Sequence, residues 1–305
     1  MRIDLNGSSV EFVPGAKALG HIEDAWANPD FKPVEPRYAA TVMLVRDSAP
    51  GQTEYRIESN HFPPDFPTGQ ELEVFMLRRV KTMAFAADAV VFPGGRVDDA
   101  DSDPHMPWAG PTPSDWAHLM GVSEDVARKV VVAAARELFE ECGVLLAGLP
   151  EGVVLQDLSD PSWQQARDAL EGHEITFAEF LSKSGLVLRT DLLGLISNFC
   201  TPESEPRRYD TFFFSALLPE GQQADGATGE AQIADWVTPA YAMRAGDAGN
   251  WLVLAPTVYN LTCVAAAKSA TELVSTRRPL TQFMSVPKRR EDGTIVLHCD
   301  FPTRK

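Results

Sequence analysis

What the sequence lacks narrows it first. It has no long hydrophobic run. The longest near the middle, residues 130–135, is far short of the ~20 apolar residues a bilayer-crossing helix needs. The opening stretch, MRIDLNGSSVEFVPG, has none of the apolar core of a secretory signal. Close cysteine pairs are also missing: Cys142, Cys200, Cys263 and Cys299 are scattered. That spacing argues against a zinc site or a redox CxxC and fits a reducing, cytoplasmic setting. Positive charge is scarce. Lys and Arg number 27 against 43 Asp and Glu, a formal net charge of -16. Such a field repels nucleic acid and anionic membrane surfaces, so neither is expected as a partner. A small anionic substrate would need a bound metal ion or a few well-placed arginines.

What is there is ordinary globular material. The apolar fraction of 44% over 305 residues is enough for a substantial core. Residues 1–36 carry several prolines and read as an irregular extension on a single domain spanning 37–300. RYAATVMLVRD (37–47) and ELEVFMLRRV (71–80) read as strands separated by a proline-rich loop, and AVVFPGG (89–95) runs into a glycine turn. Residues 102–122 hold prolines and tryptophans and read as an inserted loop with local structure, outside the catalytic core. SEDVARKVVVAAARELFEECG is the strongest helix, with Ser123 to cap it and Gly143 to close it. A second insert, about 157–185, reads as two short helices. Strands follow in 188–202 and 207–218, around a turn, and in 233–239, then a second long helix from 255 to 276 and a terminal strand near 293–301. No internal repeat is present. Strands and helices mix without strict alternation, which predicts an α+β fold with a mixed sheet.

The helix ending in RELFEECGV (136–144) raises a physical question. Val131, Ala135, Leu138 and Cys142 form one apolar stripe, which leaves Glu137, Glu140 and Glu141 pointing away from it as one cluster. Like charges at that spacing cost stability. Taken alone, such a run is most simply a solvated acidic face. A bound Mg²⁺ or Mn²⁺ would also offset the repulsion, since oxygen clusters suit hard divalent cations.

The surrounding residues favour the second reading. Arg136, Glu137, Leu138, Glu140, Glu141, Gly143 and Val144 fill every defined position in the second half of the Nudix box, G-x5-E-x7-R-E-U-x-E-E-x-G-U, where U is apolar. VVFPGGRVDDAD supplies the first half, with Gly95 as its glycine and Asp101 in place of the glutamate. Between Asp101 and Arg136 lie 34 residues, so the box is split by an insertion. In this the sequence resembles the coenzyme A diphosphatase branch of the Nudix hydrolases, whose box contains a long insert. TPESEPRRYDT (201–211), EAQIADWVTPAYAM (230–243) and LAPT (254–257) are similar to that branch as well.

The resemblance implies a Nudix-type α/β/α sandwich and a metal-dependent hydrolase cutting a pyrophosphate bond. Coenzyme A or acyl-CoA is the favoured substrate, giving 3′,5′-ADP and a 4′-phosphopantetheine. ADP-ribose, NADH-type dinucleotides and nucleoside triphosphates stay open, as does a non-enzymatic nucleotide-binding module. It implies Glu137, Glu140 and Glu141 as metal ligands together with the Gly95 carbonyl, and Arg136 as the group orienting a box glutamate. Glu230 is a candidate base or further ligand, with Asp225 and Asp235 as competitors. For phosphate contacts the candidates are Arg78, Arg79, Arg207 and Arg208; strand alternation puts only one of each pair on the site face, and Arg79 and Arg208 are taken as the favoured members. A small-molecule diphosphate is the expected partner, and a homodimer is one arrangement left open.

Overall fold

The computed structural model describes residues 9–48, 72–79, 89–226, 231–276 and 280–301. A mixed eight-stranded sheet runs through its centre. In spatial order its main strands are Ala231–Val237, Leu72–Arg79, Arg37–Asp47, Tyr209–Leu217, Leu193–Cys200 and Gln282–Met284. Val90–Val91 joins the sheet on Leu72–Arg79 and Gly94–Arg96 joins it on Arg37–Asp47. Arg37–Asp47 pairs parallel with Tyr209–Leu217 on one side. On the other side it divides its edge. Val45–Asp47 pair with Leu72–Val74, while Ala39–Thr41 pair with Gly94–Arg96. The sheet is therefore splayed where the glycine turn enters.

Strand alternation builds two apolar faces. Along Arg37–Asp47, Met43 and Val45 face one core, while Ala40, Val42 and Leu44 face another. Helices Pro239–Asp247, Ala255–Ala265 and Ala270–Ser275 cover the first face. The box helix, Glu124–Cys142, covers the second with Pro113–Met120. The result is the α/β/α layering expected from the sequence, in an α+β fold.

The box helix starts and stops where its sequence says. The Ser123 side chain accepts from the Val126 N–H, and Gly143 ends the helix at φ 68, a left-handed turn that glycine takes without steric penalty. Two of its sides are covered. Val131, Leu138 and Cys142 lie in the sheet-facing core, whereas Ala135, with Val132 and Phe139, faces a third cluster. Leu170, Phe177, Phe180 and Leu181 of helices Pro161–Glu171 and Phe177–Lys183 complete that cluster. Phe139 stacks on Phe180 with ring centres 5.4 Å apart.

Residues 102–122 have the local structure expected of them, and they also pack on the hydrophobic core: Trp116 is fully buried, edge-to-face with Phe214 of the central sheet at 5.8 Å. Two expectations are corrected. The predicted long helix over 255–276 is broken after Ala265, because Ser269 caps a new start by accepting from the Glu272 N–H. The N-terminal extension is not irregular throughout. Ser9–Phe12 pairs with Ile295–Asp300, and helix Ala16–Ala27 lays Ile22 against Ile295 and Leu297. The proline-rich stretch 49–70 lies outside the described residues.

Candidate active site

The acidic run of the box helix is not a solvated face. Glu140 is buried and the Glu137 side chain is 13% exposed. Both gather around Arg136, itself 7% exposed. Its Nε and Nη2 donate to the two carboxylate oxygens of Asp101 at 2.9 and 3.1 Å. Nη1 donates to Glu137 at 3.0 Å and to Glu140 at 2.8 Å. Nη2 also donates to the Arg96 carbonyl at 3.0 Å. The planar guanidinium suits this fan of acceptors, since its N–H groups point in fixed directions.

Asp101 therefore has a definite place. It is 1% exposed and sits in a 3₁₀ turn, Asp99–Ser102, where its carboxylate also accepts from the Asp98 N–H at 2.8 Å. The aspartate standing for the box glutamate is the bidentate partner of the box arginine, despite the 34 residues between them. Its shorter side chain is met by a local turn that brings the backbone close.

The glycine turn completes the site. The Gly94 N–H donates to Glu141 Oε2 at 2.7 Å. A β-carbon on Gly95 would collide with the Glu137 carboxylate, so glycine is what lets the turn lie against the helix. Glu137 and Glu141, one helical turn apart, both face this turn.

Charge is out of balance here. Three carboxylates lie within hydrogen-bond reach of one guanidinium. Burial pushes the Glu137 carboxyl up to about 7, with Arg136 opposing and Glu140 adding to the rise. Burial also raises Asp101 and Glu140. For Arg136, burial disfavours the charged form, but the Asp101 hydrogen bond and the charges of Glu137, Asp101 and Glu140 outweigh it and hold the guanidinium protonated.

Among the described residues no three His, Cys, Asp or Glu side chains form a group able to hold a metal ion by themselves. The reason is visible in the contacts: Glu140, expected as a ligand, is turned onto Arg136. Glu137 and Glu141 remain against the glycine turn. Two carboxylates with surplus negative charge suit an ion such as Mg²⁺, which keeps several waters and takes one or two carboxylates plus substrate phosphates.

The arginine expectations divide. Arg208 is buried, and its guanidinium donates to the carbonyls of Thr201 at 3.1 Å and Val34 at 2.8 Å and to the sulfurs of Cys200 and Met284. Its donors are used inside the fold, so the expected phosphate contact is corrected; Arg207 is the exposed member of the pair. Arg78 lines a cavity of about 520 Å³ with Met243, Trp251 and Val258. Those neighbours belong to the core on the face away from the box helix. Arg79 is placed by its backbone alone, paired with Ala231. Glu230 lies outside the described residues. Asp225 is found at the end of the box helix, its N–H on the Cys142 carbonyl at 3.0 Å, and Asp235 is exposed. Arg96, exposed and directly after Gly95, was passed over in the sequence although its adjacency to the glycine pair could have marked it.

A stretch resembling the Nudix box lies here on a splayed mixed sheet, and the comparisons with known proteins point the same way. No protein-family profile matches the chain. It is 27% identical over 197 residues to a Caenorhabditis elegans protein named as nudix hydrolase 7, covering 64% of this chain and 56% of that protein. It is 23% identical over 244 residues to acyl-coenzyme A diphosphatase NUDT19 of Xenopus laevis, covering 68% of this chain and 63% of that protein. The chain thus spans less than two thirds of the length of either relative. The crystal structure of a NUDIX hydrolase from Alicyclobacillus acidocaldarius matches with TM-score 0.62 and 25% identity, over 80% of this chain and 97% of that one. The chain has the fold of a Nudix hydrolase and resembles the coenzyme A diphosphatase branch in sequence.

Proposed function

We propose that the chain is a metal-dependent diphosphatase that hydrolyses the pyrophosphate bond of a nucleoside diphosphate-linked substrate. The observation that carries this reading is the pairing of Glu137 and Glu141 against the Gly94–Gly95 turn, with Arg136 holding Glu137 from behind. A bound Mg²⁺ or Mn²⁺ would neutralise pyrophosphate charge and make water nucleophilic near neutral pH. Every other part belongs to the chain. Arg136 fixes the carboxylate of Glu137 by a charge-assisted hydrogen bond. Glu137 and Glu141 supply the anionic oxygens, and the Gly95 carbonyl is the candidate for a further ligand. Arg79 and Arg96 are the candidates for holding phosphate oxygens in line. Glu230 is the candidate base for the attacking water. Water adds its oxygen to one phosphorus, and the bridging P–O bond breaks toward the other phosphate.

The favoured substrate is coenzyme A or an acyl-CoA, cut to 3′,5′-ADP and the corresponding 4′-phosphopantetheine. This rests on the likeness to NUDT19 and on the TPESEPRRYDT stretch. The test is a panel of coenzyme A, acetyl-CoA, ADP-ribose, NADH and a nucleoside triphosphate with Mg²⁺ or Mn²⁺, read by released product. Coenzyme A or acetyl-CoA should be turned over fastest. Preference for ADP-ribose or NADH would replace the substrate and keep the chemistry; no hydrolysis of any of them would leave a nucleotide-binding module. No helix among the described residues is long and apolar enough to cross a membrane.

A further inference from the structure

The box helix ends against the usual electrostatics of a helix. Its last turn carries Glu140 and Glu141 and no basic residue, whereas the carbonyl end of a helix favours cations. The missing cation comes from the second insert. Arg167, on helix Pro161–Glu171, is 1% exposed and donates Nε to the Glu140 carbonyl at 2.8 Å. Its Nη1 donates to Asp225 at 2.7 Å. Asp225 closes the loop with its own N–H on the Cys142 carbonyl at 3.0 Å. Arg167 Nη2 has no hydrogen-bond partner among the described residues, a deficit that native interiors rarely carry without a reason.

Two further contacts fix this arrangement to its surroundings. A β-carbon on Gly143 would stand 3.0 Å from Arg167 Nη1 and 3.1 Å from Asp225 Oδ2, so the pair packs directly on the turn that ends the box helix. Three residues before Asp225, the buried Gln222 accepts from the Leu145 N–H at 2.9 Å and donates to the Leu145 and Leu155 carbonyls. The segment leading toward strand Ala231–Val237 is thus tied to the helix end at two points.

We propose that Arg167 and Asp225 form a clasp that positions the last turn of the box helix, and with it the Glu141 carboxylate against the Gly94 N–H. Arg167 and Asp225 are positioning residues. The second insert is then more than a covering of the third core, because it delivers the cation that the acidic helix end requires. The consequence for metal binding rests on the diphosphatase reading; the clasp itself does not.

The experiment compares the full chain with Arg167→Lys and Asp225→Asn. It reads amide hydrogen exchange in residues 139–146 and in strand Tyr209–Leu217, together with a Mn²⁺ titration. Lysine keeps the charge but cannot serve the Glu140 carbonyl and Asp225 together with a planar fork. Both variants should exchange about tenfold faster in 139–146 while the strand is unchanged, since the opening is local. Mn²⁺ affinity should fall by about tenfold, as it does when groups that orient metal ligands are lost. Unchanged exchange in 139–146 overturns the clasp. A uniform rise through the chain with unaltered Mn²⁺ affinity also overturns it, because Arg167 would then only stabilise the fold. A wild type that binds no Mn²⁺ contradicts the diphosphatase reading instead, and the exchange result then decides the clasp by itself.

Discussion

Arg136 and Arg208 carry the same charge at nearly the same burial, 7% and 8% exposed, yet their surroundings are opposite. Around Arg136 stand Asp101, Glu137 and Glu140, three acids for one base. Around Arg208 stand two carbonyls and two sulfurs, and none of these partners is an acid. The first site has more negative charge than its arginine can balance, and Glu141, one helical turn from Glu137 and against the same glycine turn, adds to the excess. The second is satisfied by neutral dipoles. Burial of an arginine does not by itself point to a ligand; it is the charge its partners leave over that does. The excess at Arg136 is what a divalent cation and its phosphates would relieve.

The sharpest way to break this contrast is to neutralise the surplus. Glu137→Gln should lower kcat on the best diphosphate substrate by about 10³ or more, as loss of a preorganised charge at a reacting centre does, while the protein stays folded. The same variant has a signature in stability. A carboxyl raised from 4.5 to about 7 resists ionising in the folded state. Its contribution therefore works against folding as pH rises through that interval, by up to about 3 kcal/mol. Urea unfolding of the metal-free wild type should show stability falling between pH 4.5 and 7. Glu137→Gln should flatten that fall, and so should saturating Mg²⁺ in the wild type.

Removing each arginine compares the two sites directly. Arg136→Met strands three buried acids and should cost about 3–5 kcal/mol in denaturant unfolding. Arg208→Met strands only carbonyls that have lost a donor, so about 1–3 kcal/mol is expected, with kcat/KM close to wild type. A large loss of turnover in Arg208→Met at unchanged Mn²⁺ affinity would put that arginine back among the substrate contacts.

The smallest effect should come from Asp101→Asn. One charge of the surplus disappears and the amide oxygen can still accept from Arg136 Nη2 and the Asp98 N–H, while the amide NH₂ faces the Nε donor, for a net loss of about 1 kcal/mol in the metal-free protein. Thermal unfolding at neutral pH measures it. Asp101→Glu, restoring the common box residue, should be worse by about 1–3 kcal/mol, because an extra methylene enters a filled site.

The parts that were legible are those set by local chemistry. Strand Arg37–Asp47 and the box helix with Ser123 and Gly143 have the predicted places, since β-branched content, a capping side chain and a left-handed glycine all act within a few residues. The box pattern singled out Arg136, Glu137 and Glu141, and the structure brings them together beside the glycine turn. What escaped was set at long range. Alternation says that one of Arg207 and Arg208 points inward, but not that Val34 and Met284 wait there. Proline content made 102–122 look like a loop, yet Thr112 and Asp115 form a capping box that starts helix Pro113–Met120 and aims Trp116 at the sheet. That signal was present and was outweighed by composition. The Arg167–Asp225 pair joins residues 58 positions apart, and nothing local announces it.

One measurement tests the central claim, that the charge surplus at Arg136 exists to hold a divalent cation. Mn²⁺ is titrated by calorimetry into the wild type, Glu137→Gln and Arg208→Met at pH 7.5. The account predicts that wild type and Arg208→Met bind alike and that Glu137→Gln binds at least about tenfold more weakly. Equal binding by wild type and Glu137→Gln, or no binding by the wild type, would contradict it.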